Sequence, residues 1–122
     1  MIIGAHFLLY SQDATADRTF FRDVLGLRAV DAGHGWLIFG ISPAEAAIHP
    51  AEGSAPSSSM LGGDLYLMCD DLDQTIASLK EQNVQCGRVT TERWGMRTSI
   101  PLPSGGAIGL YQPTHPTALG LK

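Results

Sequence analysis

Apolar and polar positions follow the same order twice along this chain. Residues 2–10 (IIGAHFLLY) are rich in Ile, Leu, Phe and Tyr and predict a strand. Asp13 follows, and its carboxylate can accept the free N–H groups of a first helical turn. Ala16, Phe20 and Val24 then recur every four residues, with Phe21 alongside, as one apolar helix face. Asp17, Arg18, Arg22 and Asp23 fall mostly on the other sides, and Gly26 stands where a left-handed cap would end the helix. Residues 27–31 and 36–39 predict two strands around the turn 32–35 (AGHG). Gly40 and Pro43 separate them from a short fourth strand at 44–49.

The order repeats after residues 50–63 (PAEGSAPSSSMLGG), a stretch of Pro, Gly, Ser and Ala that reads as a flexible link or a lid. Residues 64–69 predict a strand, and Asp71 caps a helix whose apolar face is Leu72, Ile76 and Leu79. Asn83 is a stop signal, and strands are predicted at 84–90, 96–101 and 107–112. The last two are joined by the turn 103–106 (PSGG). Asp64 lies 58 positions after His6, Asp71 lies 58 after Asp13, and Trp94 lies 58 after Trp36.

Two strand–helix–strand–strand–strand halves cannot each bury a sheet face and a helix alone. The expected fold is α+β, with two βαβββ modules in a pseudo-twofold repeat forming a cupped, half-open sheet with helices outside. Module one spans 1–50, the linker 51–63, module two 64–113 and the tail 114–122, in a single domain. Strand parity assigns the faces. Ile108 and Leu110 share an apolar face, opposite Gly109 and Tyr111. Ala46 and Ile48 share another, opposite Glu45, Ala47 and His49. The apolar faces would meet the helices, and the mixed faces would line the cup.

Composition narrows the partners. With 44% hydrophobic and 16% charged residues in 122, the chain can bury an ordinary core. A net charge of −4 argues against a nucleic-acid partner, which needs a basic surface. No apolar run reaches the roughly 18 residues that span a bilayer, and no secretory leader is visible. Cys69 and Cys86 form no C-x-x-C motif and are expected as reduced thiols in a cytoplasmic protein.

Residues 6–10 (HFLLY) with Asp13, then 20–27 (FFRDVLGL), are similar to the opening strand and helix of the vicinal oxygen chelate superfamily. Residues 94–98 (WGMRT), 103–106 (PSGG) and 108–113 (IGLYQP) resemble its closing segment. That superfamily includes glyoxalase I, extradiol dioxygenases, fosfomycin resistance enzymes and bleomycin resistance proteins. Its metal-dependent members hold a divalent cation with a ligand from the first and the fourth strand of each half, and the cation acts as a Lewis acid. By this resemblance His6 matches the first-half position. The fourth-strand position falls on Ala47, with His49 two residues on along the same face. Asp64 stands where His is usual, and Gly109 where a carboxylate is usual.

The resemblance therefore implies a metal-free protein that binds a small aromatic or apolar molecule in the cup, as bleomycin resistance proteins do, with no cofactor expected. The alternative is a divalent-metal lyase, isomerase or dioxygenase using His6, His49 and Asp64. The candidate ligand-binding set is His6, Trp36, His49, Asp64, Tyr66, Trp94 and Tyr111. Trp94 would supply an aromatic wall, and Tyr66 and Tyr111 polar tips that orient a ligand. For Trp36, core packing is the competing role. Arg97 reads as an outward charge or an anion clamp, the outward role being the favoured one, and His34 and His115 are expected to lie on the surface. No nucleophile elbow, phosphate loop or zinc-finger spacing is present. Members of the superfamily commonly form dimers, so a homodimer is expected.

Overall fold

Two aspartates begin the two helices. In the computed structural model, which describes residues 6–41, 43–50 and 62–119, Asp13 accepts from the Ala16 N–H at 3.1 Å and opens α1 (Ala14–Asp23). Asp71 accepts from the Gln74 N–H at 3.0 Å and opens α2 (Leu72–Glu81). Each satisfies a donor that the helix cannot. The Leu72 N–H is satisfied from further away, by Gln112 Oε1 at 2.8 Å, which ties the start of α2 to the last strand. Both helices end on left-handed residues, Gly26 at φ 71° and Asn83 at φ 64°. The chain then closes back, Leu27 N–H to the Phe21 carbonyl and Val84 N–H to that of Leu79.

The strands form two sheets. β1 (Ala29–Asp31) and β2 (Leu37–Phe39) make an antiparallel hairpin. The Asp31 carboxylate ties its turn by accepting from Gly33 N–H at 2.7 Å and Gly35 N–H at 3.3 Å. β3 (Tyr66–Met68), β4 (Thr90–Glu92), β5 (Gly95–Pro101) and β6 (Ala107–Pro113) make a four-stranded sheet in the order β3-β6-β5-β4. β3 runs parallel to β6 and the other pairs are antiparallel. Module two is thus a complete βαβββ unit, open at its β3 end. Among the described residues, module one contributes α1 and the β1–β2 hairpin.

One core serves both modules. Leu72 and Leu79 of α2 pack with Ile100, Ile108, Leu110, Val84 and Cys86, and Phe21 of α1 joins the same cluster. Phe39 of β2 meets Phe21 with ring centroids 5.5 Å apart, which anchors the hairpin. Leu72 and Ile100 are each only 1% exposed, and burying such a side chain contributes about 1.5–3 kcal/mol. Asp17 supplies the polar counterpart. Its buried carboxylate accepts from Ser11 Oγ at 2.7 Å, Ser104 Oγ at 2.7 Å and the Ser104 N–H at 3.1 Å, so α1 is fixed to the β5–β6 turn.

Three predicted strands differ from the structure. Residues 6–10 carry no strand, and Phe7, Leu8, Leu9 and Tyr10 are exposed. Residues 44–49 carry none either, and Ile48 is 93% exposed. A strand exists only where a neighbour completes its ladder, and among the described residues β1 and β2 pair only with each other. Residues 44–49 are also rich in Ala, a weak strand former, and flanked by Pro43 and Pro50. The strand expected at 84–90 begins only at Thr90. Before it, Thr98 Oγ1 donates to the Gly87 carbonyl at 2.6 Å, taking an acceptor that a ladder would use. The linker reading falls largely on residues 51–61, outside the described residues.

β3 and β6 approach closely because position 109 is glycine. Tyr66 is the register partner of Gly109, and a Cβ there would overlap the Tyr66 ring. Gly109→Ala is expected to cost about 1–3 kcal/mol by displacing that ring. In a double-mutant cycle with Tyr66→Ala most of the cost should vanish; equal costs in both backgrounds would refute the contact. Asp17→Ala should lower stability by roughly 3 kcal/mol, since two charge-assisted bonds to Ser104 and one to Ser11 are lost. The urea midpoint would fall without a change in slope, and Asp17→Asn would lose less.

Candidate functional site

The face of the four-stranded sheet turned away from the helices follows from its register. Arg97 is paired with Tyr111 and with Thr90, Ser99 with Gly109, and Tyr66 with Gly109. Directly paired residues share a face, and Ile100, Ile108 and Leu110 lie in the core. The opposite face therefore carries Tyr66, Met68, Arg97, Ser99, Gly109 and Tyr111.

Three aromatic rings make one corner of that face. Trp94, in the tight turn between β4 and β5, lies 5.1 Å from Tyr111 and 5.9 Å from Tyr66, and Tyr66 lies 5.8 Å from Tyr111. Interplanar angles of 78° to 89° make all three contacts edge-to-face, the arrangement that ring quadrupoles favour. The Tyr66 ring has its room because Gly109 has no side chain.

Two polar groups extend the corner. Arg97 donates from Nη1 to the Tyr66 hydroxyl at 3.0 Å and from Nε to Glu92 at 3.3 Å, with Cζ 5.9 Å from the centre of the Trp94 ring. Those bonds, Tyr66 first, raise the Arg97 pKa above its ordinary value. Arg97 was expected to point outward. Its register beside Tyr111 instead places it, half-buried, on the cup face.

The second group comes from the tail. The Thr114 N–H bonds the Trp94 carbonyl at 2.9 Å and steers the chain over the corner. His115, expected on the surface, is half-buried and stacks on Tyr111 with centroids 6.0 Å apart. Its Nδ1 lies 2.7 Å from the Pro116 carbonyl, an acceptor only, so Nδ1 carries the proton. Nε2 is then free to accept from the Tyr111 hydroxyl at 3.2 Å. Glu45 stands 3.8 Å from Nε2 and is itself held by the Ala118 N–H. Burial, and secondarily the Glu45 charge, push the Tyr111 phenol above its usual pKa, so it remains a donor.

A cavity of about 980 Å³ runs between this corner and residues 40–49 and continues to Leu79, Ile100 and Leu110 on the helix side of the sheet. Glu45, Ala47 and His49, the residues that parity grouped together, all line it. Asp64, Tyr66, Trp94, Tyr111 and His115 form the module-two side. A second cavity of about 410 Å³ adjoins it, and Asp64, Leu65 and Tyr66 line both.

Of the residues singled out from sequence, His49, Asp64, Tyr66, Trp94 and Tyr111 are brought to the large cavity. His6 lines neither cavity, although its neighbours Phe7 and Leu9 line the large and the small one respectively. Trp36 lines neither as well. It is exposed beside the β1–β2 turn, with the Arg18 guanidinium 4.5 Å from its ring centre. Among the described residues no three His, Cys, Asp or Glu side chains converge as metal ligands would, so His6, His49 and Asp64 do not form a metal centre here. The space beside position 109, where a carboxylate ligand is usual, is taken by the Tyr66 ring. Cys69 and Cys86 are free, and burial raises both thiol pKa values, so neither is a ready nucleophile. From sequence Glu45 was legible only as a cup-lining residue by parity with His49, and His115, expected on the surface, carried no signal for its place here.

Among the described residues no helix is long and apolar enough to cross a membrane. Several solved structures share the fold. TnmS3, an antibiotic binding protein from Streptomyces sp. CB03234, is 26% identical with a TM-score of 0.63, over 93% of this chain and 99% of that one. A glyoxalase/bleomycin resistance protein from the same Streptomyces is 26% identical with a TM-score of 0.54, over 84% of this chain and 93% of its own. Lactoylglutathione lyase from Agrobacterium tumefaciens is 21% identical with a TM-score of 0.60, over 85% and 88%, a likeness of fold alone. No curated protein sequence matches the chain. The sequence profile of one family covers residues 4–110, and with the open α+β fold around an aromatic cup it makes this chain a member of the Glyoxalase/Bleomycin resistance protein/Dioxygenase superfamily.

Proposed function

We propose that this protein binds a small, flat aromatic or apolar molecule in the cup between its modules, without a catalytic metal. The observation that carries this reading is the edge-to-face corner of Tyr66, Trp94 and Tyr111 on the wall of a cavity of about 980 Å³. That volume suits a drug-sized ligand, which buries most of its surface against apolar walls and is oriented by a few polar groups. His49 and Asp64 at the rim, and the Tyr111–His115 pair, are the groups that would orient it. The likeness to TnmS3, named an antibiotic binding protein, supports the same reading. His6 stands apart from the cavity that His49 and Asp64 line, which favours binding over metal-assisted chemistry.

We further infer a homodimer. Phe7, Leu8, Leu9 and Tyr10 form a continuous exposed apolar segment, and a monomer in water rarely leaves such a surface uncovered. The two free thiols fit a reducing compartment, and the proposal places the protein in the cytoplasm.

Calorimetric titration with 2-naphthamide, a flat neutral probe, tests the binding reading. Trp94→Ala and Tyr66→Ala should each weaken binding about tenfold, equivalent to ~1.4 kcal/mol. Excess EDTA should leave the affinity unchanged. Collapse of binding on chelation, or full affinity in Trp94→Ala, would overturn it. Light scattering should give twice the chain mass, and a monomer at micromolar concentration would refute the dimer.

A further inference from the structure

The smaller cavity differs in chemistry from the large one. Arg88 and Arg97 both line it, together with the hydroxyl-bearing Thr90 and Ser99. The chain carries only 8 Lys and Arg against 12 Asp and Glu, so two guanidiniums on one small cavity run against its overall charge. Asp64 is the one carboxylate lining it.

Arg97 is already aimed. Glu92 holds its Nε and Tyr66 accepts from Nη1, which leaves the remaining N–H donors of the fork without partners among the described residues. Arg88 has no ion-pair partner among them either. Tyr66 links the two spaces, because its ring stands in the aromatic corner while it lines both cavities. Its oxygen accepts from Arg97, so its own proton is directed away from the guanidinium.

We propose that the small cavity is an anion subsite of the aromatic cup, and that the ligand is a flat aromatic molecule bearing a carboxylate. This rests on the reading of the cup as an aromatic binding site and adds the class of substituent. The rings lie against Trp94, Tyr66 and Tyr111, and the carboxylate accepts from Arg97 and Arg88, with Ser99 as a neutral donor. A guanidinium whose orientation is fixed beforehand binds a carboxylate through two parallel N–H groups at little ordering cost.

The test compares 2-naphthoate with 2-naphthamide, which have nearly the same shape and differ in charge. In calorimetric titrations of the full chain at low salt, the acid should bind about tenfold more tightly than the amide. Arg97→Gln and, separately, Arg88→Gln should bring that ratio below about threefold, and added salt should lower it in the wild type. Thermal melting checks that each variant is folded, and Arg88, being exposed, serves where Arg97→Gln is not. Equal affinities for acid and amide would overturn the anion subsite alone. A ratio that survives both substitutions would overturn it too. Failure of both compounds to bind would overturn the aromatic cup along with it.

Discussion

The carboxylate of Asp17 joins parts of the chain that lie 87 residues apart, taking two hydrogen bonds from Ser104 and one from Ser11. A buried carboxylate is tolerated only when its oxygens are well satisfied. Its position therefore selects one docking of α1 against the β5–β6 turn out of many that the apolar contacts alone would allow. Phe21, one helical turn on, then enters the core formed by α2 and the larger sheet. Phe39 follows Phe21, and the hairpin follows Phe39. The 40–49 segment leaves the hairpin and becomes the far wall of the cup. The distance between the two walls, and so the space for a ligand, depends on this contact together with the bond from the Ala118 N–H to Glu45.

The parts of the fold legible in the sequence are those decided by near neighbours. Asp13 and Asp71 cap their helices, Gly26 and Asn83 end them, and Gly105 turns β5 into β6 at φ 97°. The parity that put Gly109 and Tyr111 on one face is also local. What the sequence could not disclose depends on distant partners. Residues 6–10 have strand composition but no ladder neighbour. Trp36 and Trp94 share an offset in the repeat, yet one sits beside Arg18 on the hairpin and the other in the aromatic corner. Arg97 could be assigned to the cup only from its register with Tyr111. His115 and Glu45 are 70 positions apart, and nothing near either one announces the other.

The cup is graded rather than uniform. At one end His115, Glu45 and Tyr111 form a polar group with a fixed imidazole tautomer. In the middle are aromatic edges and faces, and at the other end are two guanidiniums. In the binding role proposed above, such a gradient would favour molecules that are themselves polarised end to end. Membership in the superfamily supplies the scaffold, while the distribution of polar groups along the cup decides what suits it.

Gly109 and Tyr66 are bound together in a way that reaches beyond packing. The ring of one fills the volume that any side chain at the other would need. A side chain at 109 and an aromatic ring at 66 in this orientation are alternatives for the same space. The two positions are therefore coupled: a side chain enters at 109 only if the ring at 66 gives up its present place.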